Sequence, residues 1–396
     1  MPYEFVGKWT YPTLIYVGPG KFASLAEHVV SLGMKRPLLV TDRGLANQSM
    51  IVTAMQRLIA SGLEAGLFSD VQGNPTDKNL AAGIDAFRRG GHDGVIVIGG
   101  GSAMDVGKLV ALMEGQTIPV WDLEDIGDWW TRADASAIHP ILAVPTTAGT
   151  GSEVGRAAVL TNTTDHTKRI IFHPKMLPSL VIGDPELAIA LPSSLTAATG
   201  MDALTHSFEA FCVESFHPLA DGIALESLRL IHEYLPRAVE NGRDLEARTM
   251  MFAAALMGGT AFQKGLGAVH SIAHPLGALR DVQHGLANGV LLPYVAAFNR
   301  PVIEPKVERI AHMLRIDNGF DGFQNWLIDL RAKIGIPHTL AEVGARLEDA
   351  DEIAEKAMAD PSTSANPRKM NVSEFRKLYV AAVTGDLAAV TTREAA

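Results

Sequence analysis

The chain has 396 residues, 47% of them hydrophobic and 20% charged, a balance that excludes a disordered polypeptide and supplies more than one small core. A formal net charge of −10 excludes a broad basic surface of the kind that grips nucleic acid or anionic lipid. The sole cysteine, Cys212, rules out an intramolecular disulfide and a cysteine-rich metal site, and is expected to be an inert buried thiol.

At the N-terminus, MPYEFVGKWTYPTL lacks the basic and apolar regions of a secretion signal, and no window offers about 18 consecutive apolar residues. A cytoplasmic protein with neither membrane nor nucleic acid as partner is expected. The stretch WTYPTLIYVGPG reads as a hairpin-like segment that could serve a dimer surface. The runs RPLLVTD (36–42), EAGLFSDV (64–71), GVIVIGGG (94–101), HPILAVPTT (139–147) and PSLVIGDP (178–185) read as buried parallel strands, because they are rich in Val, Ile and Leu and end in turn residues. Between them, NQSMIVTAMQRLIASG and NLAAGIDAFRRGG have helical periodicity and end at glycine. This is the rhythm of an open, mostly parallel α/β sheet.

After PELAIALPSS the strand signals fade. LTAATGMDALTHSFEAF, ADGIALESLRLIHEYLPRAV, LEARTMMFAAALMGG and EPKVERIAHMLRI read as helices. Two domains are therefore expected, an α/β domain over 1–188 and an all-helical domain over 189–396, with a frayed tail from about 385; the motifs that follow make the first the dinucleotide-binding and the second the metal-binding domain.

Two loops of the first half suit a nucleotide. In VIVIGGGSAMDVGK a strand runs into three glycines, a serine and a helix start, where free N–H groups and the helix dipole favour phosphate. Gly100, Gly101 and Ser102 are the candidates for a pyrophosphate. In AVPTTAGTGSE a second strand ends in Thr146, Thr147 and Thr150, and paired polar loops at strand carboxyl ends form a ligand crevice in open α/β sheets. Asp42 closes RPLLVTD, where a carboxylate could accept from both ribose hydroxyls and repel a 2′-phosphate, favouring NAD over NADP; it could equally be a turn residue. The acid precedes the glycine turn, so the GxGxxG spacing is not met.

The second half concentrates histidines. GMDALTHSFEA puts Asp202 and His206 four apart on one helix face. GAVHSIAHPLGALRDVQHG adds His270 and His274 with the same spacing, then His284 in a Gly-bounded turn, and Pro275 predicts that the helix ends near His274. One carboxylate and three imidazoles form a four-ligand set for a borderline divalent cation, leaving one histidine for another task.

Through GGGSAMDVGK, VPTTAGTGSEV, GMDALTHSFEAF and GAVHSIAHPLGALRDVQHG, the sequence resembles the iron-containing (group III) alcohol dehydrogenase family from about residue 10 to 385. The resemblance implies a dehydroquinate synthase-like arrangement of an α/β domain and a helical domain. It implies that Asp202, His206, His270 and His284 hold the metal, with His274 beside them as proton relay or substrate contact. It also implies that Gly99 to Ser102 meet the pyrophosphate, that Thr146, Thr147 and Thr150 line the cofactor channel, that Asp42 selects NAD, and that Lys168 lies near the cofactor. Fe(II) is the metal implied, with Zn as a possible occupant.

Alcohol oxidation removes a proton from oxygen and a hydride from carbon, which a cation and a nicotinamide together accomplish. The expected activity is hydride transfer between NAD(H) and a small primary alcohol, diol or ω-hydroxy acid such as 4-hydroxybutyrate, or the corresponding aldehyde. Gln283 stands where the family often has proline, and Arg280 where an aromatic is common; Arg280 or Arg156 could clamp a substrate carboxylate, or simply pair with the chain's many acids. The rival readings are a zinc lyase or cyclase of the same fold, a metal-free reductase, a non-catalytic dinucleotide sensor and a scaffold. A homodimer or higher homo-oligomer is expected.

Overall fold

Valine and isoleucine that are shielded on both faces build the first unit. The computed structural model describes residues 13–165 and 167–391, and the chain divides between Ala190 and Leu191, two residues past the expected junction. In the first unit the order is β1 (Leu14–Val17), α1 (Leu25–Ser31), β2 (Pro37–Val40), α2 (Ser49–Ala60), β3 (Gly66–Phe68), α3 (Asp77–Gly90), β4 (Gly94–Gly99), α4 (Gly101–Met113), β5 (Ile141–Pro145), β6 (Ala157–Asn162), β7 (Thr167–Phe172) and β8 (Leu180–Gly183). The strands β1-β8-β5-β4-β2-β3 form one sheet, parallel at every pairing. Ile96 and Ile98 of β4 join Leu142, Val144, Leu180 and Ile182 in a core closed by Leu25 and Val29 of α1 and Ile51, Ala54 and Leu58 of α2. Val95 and Val97 point to the opposite face, where a Cβ on Gly107 of α4 would lie 2.3 Å from Val97. Alternation along a doubly buried strand explains why β4 is hydrophobic throughout.

The described part of the hairpin-like segment is strand β1, registered parallel with β8 from Leu14↔Leu180 to Val17↔Gly183 and at the edge of the sheet among the described residues; the first residues of the segment lie outside the described residues. The antiparallel ribbon β6–β7, paired from Ala157↔Phe172 to Asn162↔Thr167, was not anticipated. Burial alternates residue by residue along β6, the pattern of a half-buried ribbon rather than the continuous apolar runs of the parallel sheet.

The second unit contains α5 (Ser193–Cys212), α6 (Pro218–Glu240), α7 (Leu245–Ala261), α8 (Ala268–Arg280), α9 (His284–Leu314), α10 (Gly319–Lys333), α11 (Ala350–Ala359), α12 (Val372–Thr384) and α13 (Ala388–Thr391). Helix α5 is buried on all sides from Thr196 to Cys212 and packs against α6, α7 and α9. Close approach is built into the sequence: a Cβ on Gly285 would come within 2.2 Å of the Ala198 carbonyl oxygen. The expected fraying from about 385 does not hold as far as Thr391, because α13 anchors buried Val390; residues 392–396 lie outside the described residues. Among the described residues no helix is long and apolar enough to cross a membrane.

Helix α8 does not end at His274. It runs through Pro275 to Arg280, because the ten residues from Ala268 to Gly277 are all buried and their packing outweighs the one backbone hydrogen bond that proline removes. Its end is set by Asp281, whose φ of 52° is the left-handed conformation that aspartate tolerates better than most residues. His284 is accordingly not in a turn but is the first residue of α9, with Gln283 as N-cap accepting from the Leu286 N–H at 2.6 Å. A proline at 283 could not supply that cap.

Candidate metal centre and cofactor crevice

Asp202 and His206 are one turn apart on α5, His270 projects from α8, and His284 opens α9. One ligand atom from each of the four lies within 4.8 Å of the others. The Nε2 atoms of His206, His270 and His284 stand 3.7, 3.9 and 3.6 Å from Asp202 Oδ1. Ligands around a tetrahedral cation at about 2.1 Å are roughly 3.4 Å apart, so three nitrogens and a carboxylate oxygen at these separations fit a divalent ion. Asp202, His206 and His270 are 1%, 4% and 1% exposed, and in such surroundings charged side chains are retained when they are paired or ligate.

Glu209 fixes the chemistry of this set. It lies on the face of α5 that carries Asp202 and His206, and His270 Nδ1–H donates to its Oε2 at 2.6 Å. The proton on Nδ1 leaves a lone pair on Nε2, the atom turned toward Asp202. The other Glu209 oxygen accepts from the Val269 N–H at 2.8 Å, capping the first turn of α8. A Cβ on Gly267 would lie 2.9 Å from that oxygen, so glycine is required at the α8 N-cap.

His274 is beside the four rather than among them. Its ring stacks on His284 with centroids 5.4 Å apart and planes 8° apart, and its Nδ1 is 2.8 Å from Asp360 Oδ2. Asp360 is held below the ordinary carboxylate range: burial opposes the charge, but His274 and the hydrogen bonds from Ser362 prevail. Among residues not anticipated, Glu209 was legible as the third member of the Asp202–His206 face, whereas Asp360 is distant in sequence and gives no local signal.

The cofactor candidates gather in the first unit. The sheet order reverses between β2 and β4, and the residues following their carboxyl ends, Asp42, Arg43, Gly44, Gly100, Gly101 and Ser102, line a cavity of about 310 Å³ together with Val71 to Gly73. Open α/β sheets bind ligands at such a switch point. The first turn of α4, starting at Gly101, has no side-chain cap, so its N–H groups are available to an anion. Cβ atoms on Gly100 and Gly101 would lie 3.4 Å from Thr147 Oγ1 and 2.7 Å from Thr150 Cγ2; glycine lets the threonine loop close on the turn. The Thr146 N–H donates to the Gly99 carbonyl at 3.0 Å, and a Cβ on Gly99 would face Asp42 Oδ2 at 3.5 Å. Asp42 also accepts from the Leu45 N–H at 3.0 Å. Lys168, on β7, donates to Asn74 Oδ1 at 2.6 Å, next in sequence to Gly73 of the cavity wall.

Beneath these loops is a buried network absent from the sequence reading. Lys108 donates to the Ser152 carbonyl at 2.9 Å, to Ser152 Oγ at 2.6 Å and to the Ala157 carbonyl, and Asp105 accepts from Ser152 Oγ at 2.7 Å and the Val159 N–H at 3.1 Å. Burial lowers the Lys108 pKa and raises that of Asp105, each against the pull of the other. Burial likewise pushes the Glu153 carboxyl up to about 7, against backbone hydrogen bonding and Lys108.

Of the arginines considered for a substrate carboxylate, Arg280 is already engaged, donating from Nε and Nη2 to Asp349 at 2.8 and 2.5 Å. Arg156 lies over the Phe172 ring at 5.4 Å and its charge acts on Asp125. Cys212 is buried and its thiol is pushed up to about 12 by burial, as an inert thiol should be.

The sequence model described as iron-containing alcohol dehydrogenase matches residues 12–185, and that of the C-terminal region of the Fe-containing alcohol dehydrogenase family matches 196–383. The chain is 34% identical over 378 residues to the NAD-dependent methanol dehydrogenase of Bacillus methanolicus, covering 93% of this chain and 97% of that protein. It is 35% identical over 381 residues to the 4-hydroxybutyrate dehydrogenase of Cupriavidus necator, with 93% and 97% covered. The crystal structure of a 1,3-propanediol oxidoreductase superposes with a TM-score of 0.90 at 37% identity, covering 95% of this chain and all of that one.

Two outcomes are expected from this geometry. Glu209→Gln can present an N–H to His270 Nδ1 and so move the imidazole proton to Nε2; Zn(II) affinity, measured by chelator competition, should fall about 10–100-fold, and an unchanged affinity would remove Glu209 from the centre. For Glu153 the folded value of about 7 exceeds the ordinary 4.5, so between these the folded chain keeps a proton that the unfolded chain has lost. The associated stability is complete below 4.5 and lost as pH rises through about 7. Glu153→Gln should therefore flatten the decline of the thermal midpoint between about pH 5 and 7.5, whereas parallel curves for the two proteins would contradict it.

Proposed function

The chain belongs to the iron-containing alcohol dehydrogenase family, and from that premise we propose that it transfers hydride between NAD(H) and a small primary alcohol or diol, reducing the aldehyde in reverse. The observation that carries the proposal is the convergence of three Nε2 atoms and Asp202 Oδ1, with His270 fixed in its ligating tautomer by Glu209. Fe(II) bound there, with Zn as alternative, would act as a Lewis acid on the substrate oxygen while NAD accepts the hydride.

Asp202, His206, His270 and His284 hold the cation. His274, oriented through Nδ1 by Asp360, presents Nε2 as the carrier of the hydroxyl proton. The first-turn amides of α4 at Gly101 and Ser102, reached over Gly99 and Gly100, bind the pyrophosphate. Thr146, Thr147 and Thr150 shape the adjoining channel, and Lys168 supports the cavity wall through Asn74. Asp42 accepts from the ribose hydroxyls and repels a 2′-phosphate. A neutral alcohol or diol is favoured over an ω-hydroxy acid because Arg280 is taken up by Asp349; 4-hydroxybutyrate remains the second reading, supported by the relative of that name. We further infer a cytoplasmic homo-oligomer.

Purified without oxygen and loaded with Fe(II), the protein should produce NADH from members of a C2 to C4 panel of alcohols, diols and hydroxy acids. His270→Ala, which removes a ligand outright, should lower that rate by more than the about 10–100-fold that losing a ligand's hydrogen-bond partner costs, and a chelator should abolish it, while zinc should occupy the site with altered activity. NADH binding without turnover would favour a sensor, and metal binding with no turnover in either direction a lyase of the same fold. Asp42→Ala should shift the NADP-to-NAD ratio of kcat/KM by at least about tenfold toward NADP; an unchanged ratio would leave Asp42 a turn residue.

A further inference from the structure

Asn288 lies one helical turn beyond His284 on α9, on the same face, and is fully buried. Its side-chain nitrogen is 2.7 Å from Asp202 Oδ1, 3.2 Å from His284 Nε2 and 3.3 Å from His270 Nε2. Asp202 is an acceptor by its charge, and His270 Nε2 is one because its proton is on Nδ1 against Glu209. Chemistry fixes the orientation of the amide: turned round, Asn288 would set its carbonyl oxygen against a carboxylate oxygen with no proton between them. As it stands, Asn288 Oδ1 has no hydrogen-bond partner among the described residues. An apolar side chain would leave no such buried oxygen, so packing alone does not call for an amide here.

We propose that Asn288 is a positioning residue of the metal centre. By donating to Asp202 Oδ1 it fixes the carboxylate so that this oxygen faces the imidazole nitrogens before a cation enters. The proposal deepens the reading of Asp202, His206, His270 and His284 as a cation site and rests on it. A carboxylate oxygen has more than one lone pair, so Oδ1 can accept from Asn288 and ligate at once, whereas the single lone pair on Nε2 of His270 or His284 passes from the amide to the cation. Without the donor, Asp202 can rotate away from the imidazoles, and cation binding must restore its orientation. Orienting partners of this kind contribute about 10–100-fold to metal affinity.

The test is a titration of the full chain with Co(II), whose visible absorption reports both occupancy and ligand geometry. Asn288→Leu removes the donor and keeps the branching at Cγ. It should weaken Co(II) binding about 10–100-fold and change the visible band, with the far-ultraviolet circular dichroism of the cation-free protein unchanged. A folded Asn288→Leu protein with wild-type affinity and band would overturn the proposal while leaving the cation site intact; no Co(II) binding by the wild type would overturn both. If Asn288→Leu does not fold, Asn288→Ala is read in the same way, and wild-type affinity in that variant would equally overturn the role assigned to Asn288.

Discussion

The carboxylate of Glu209 is the interaction on which the second unit turns. One oxygen caps α8 at Val269 and the other holds the proton of His270, so the start of the helix and the tautomer of its first candidate ligand are set by one side chain. A buried carboxylate is costly without donors, and these two come from adjacent residues of α8. Helix placement and ligand chemistry therefore cannot be separated. Gly267 follows from the same contact, because a side chain there would displace the Glu209 oxygen.

In the first unit, topology brings the cofactor candidates together. The acid Asp42 precedes the glycine turn in sequence, the reverse of the usual dinucleotide fingerprint, yet β2 and β4 are neighbours in the sheet. The chain departs outward from β2 to β3 and returns on the other side of β2 as β4. The crevice is thus created by the reversal, and an acid on one strand and free amides after the other meet across it whichever comes first in the chain. Lys108 and Asp105 then tie the Ser152 loop to α4, which carries the glycine turn at its start.

The parallel strands and long helices were legible because doubly buried strands and helical stripes leave strong periodic signals. The four ligand candidates were legible because Asp202 and His206 are one helical turn apart and His270 and His284 fall in one histidine-rich stretch. Local rules failed where tertiary packing overrode them. Pro275 did not stop α8, since the surrounding burial outweighed one lost hydrogen bond, and the ribbon β6–β7 was passed over because its alternation is weaker than a continuous apolar run. Asp360 and Asn288 were not legible for a different reason. Their meaning comes from what they touch, Asp360 being 86 residues from His274 and Asn288 equally far from Asp202.

That remoteness has an energetic counterpart. The four candidate ligands come from three helices, and their atoms meet only when α5, α8 and α9 are packed. A cation that binds this arrangement and not the unfolded chain stabilises the fold by RT ln(1 + [L]/Kd), about 2.7 kcal/mol when its concentration is a hundred times Kd. The close approach of α9 to α5 at Gly285, the hydrogen bond that Glu209 accepts from His270 and the one that Asn288 donates to Asp202 act in the same direction, because each restricts the candidate ligands before binding and so lowers the ordering cost that binding must meet. The glycines and hydrogen-bonding partners around the cluster thus have one physical role in common. They make the geometry of the site a property of the helix packing, so that a cation would meet the candidate ligands already in place.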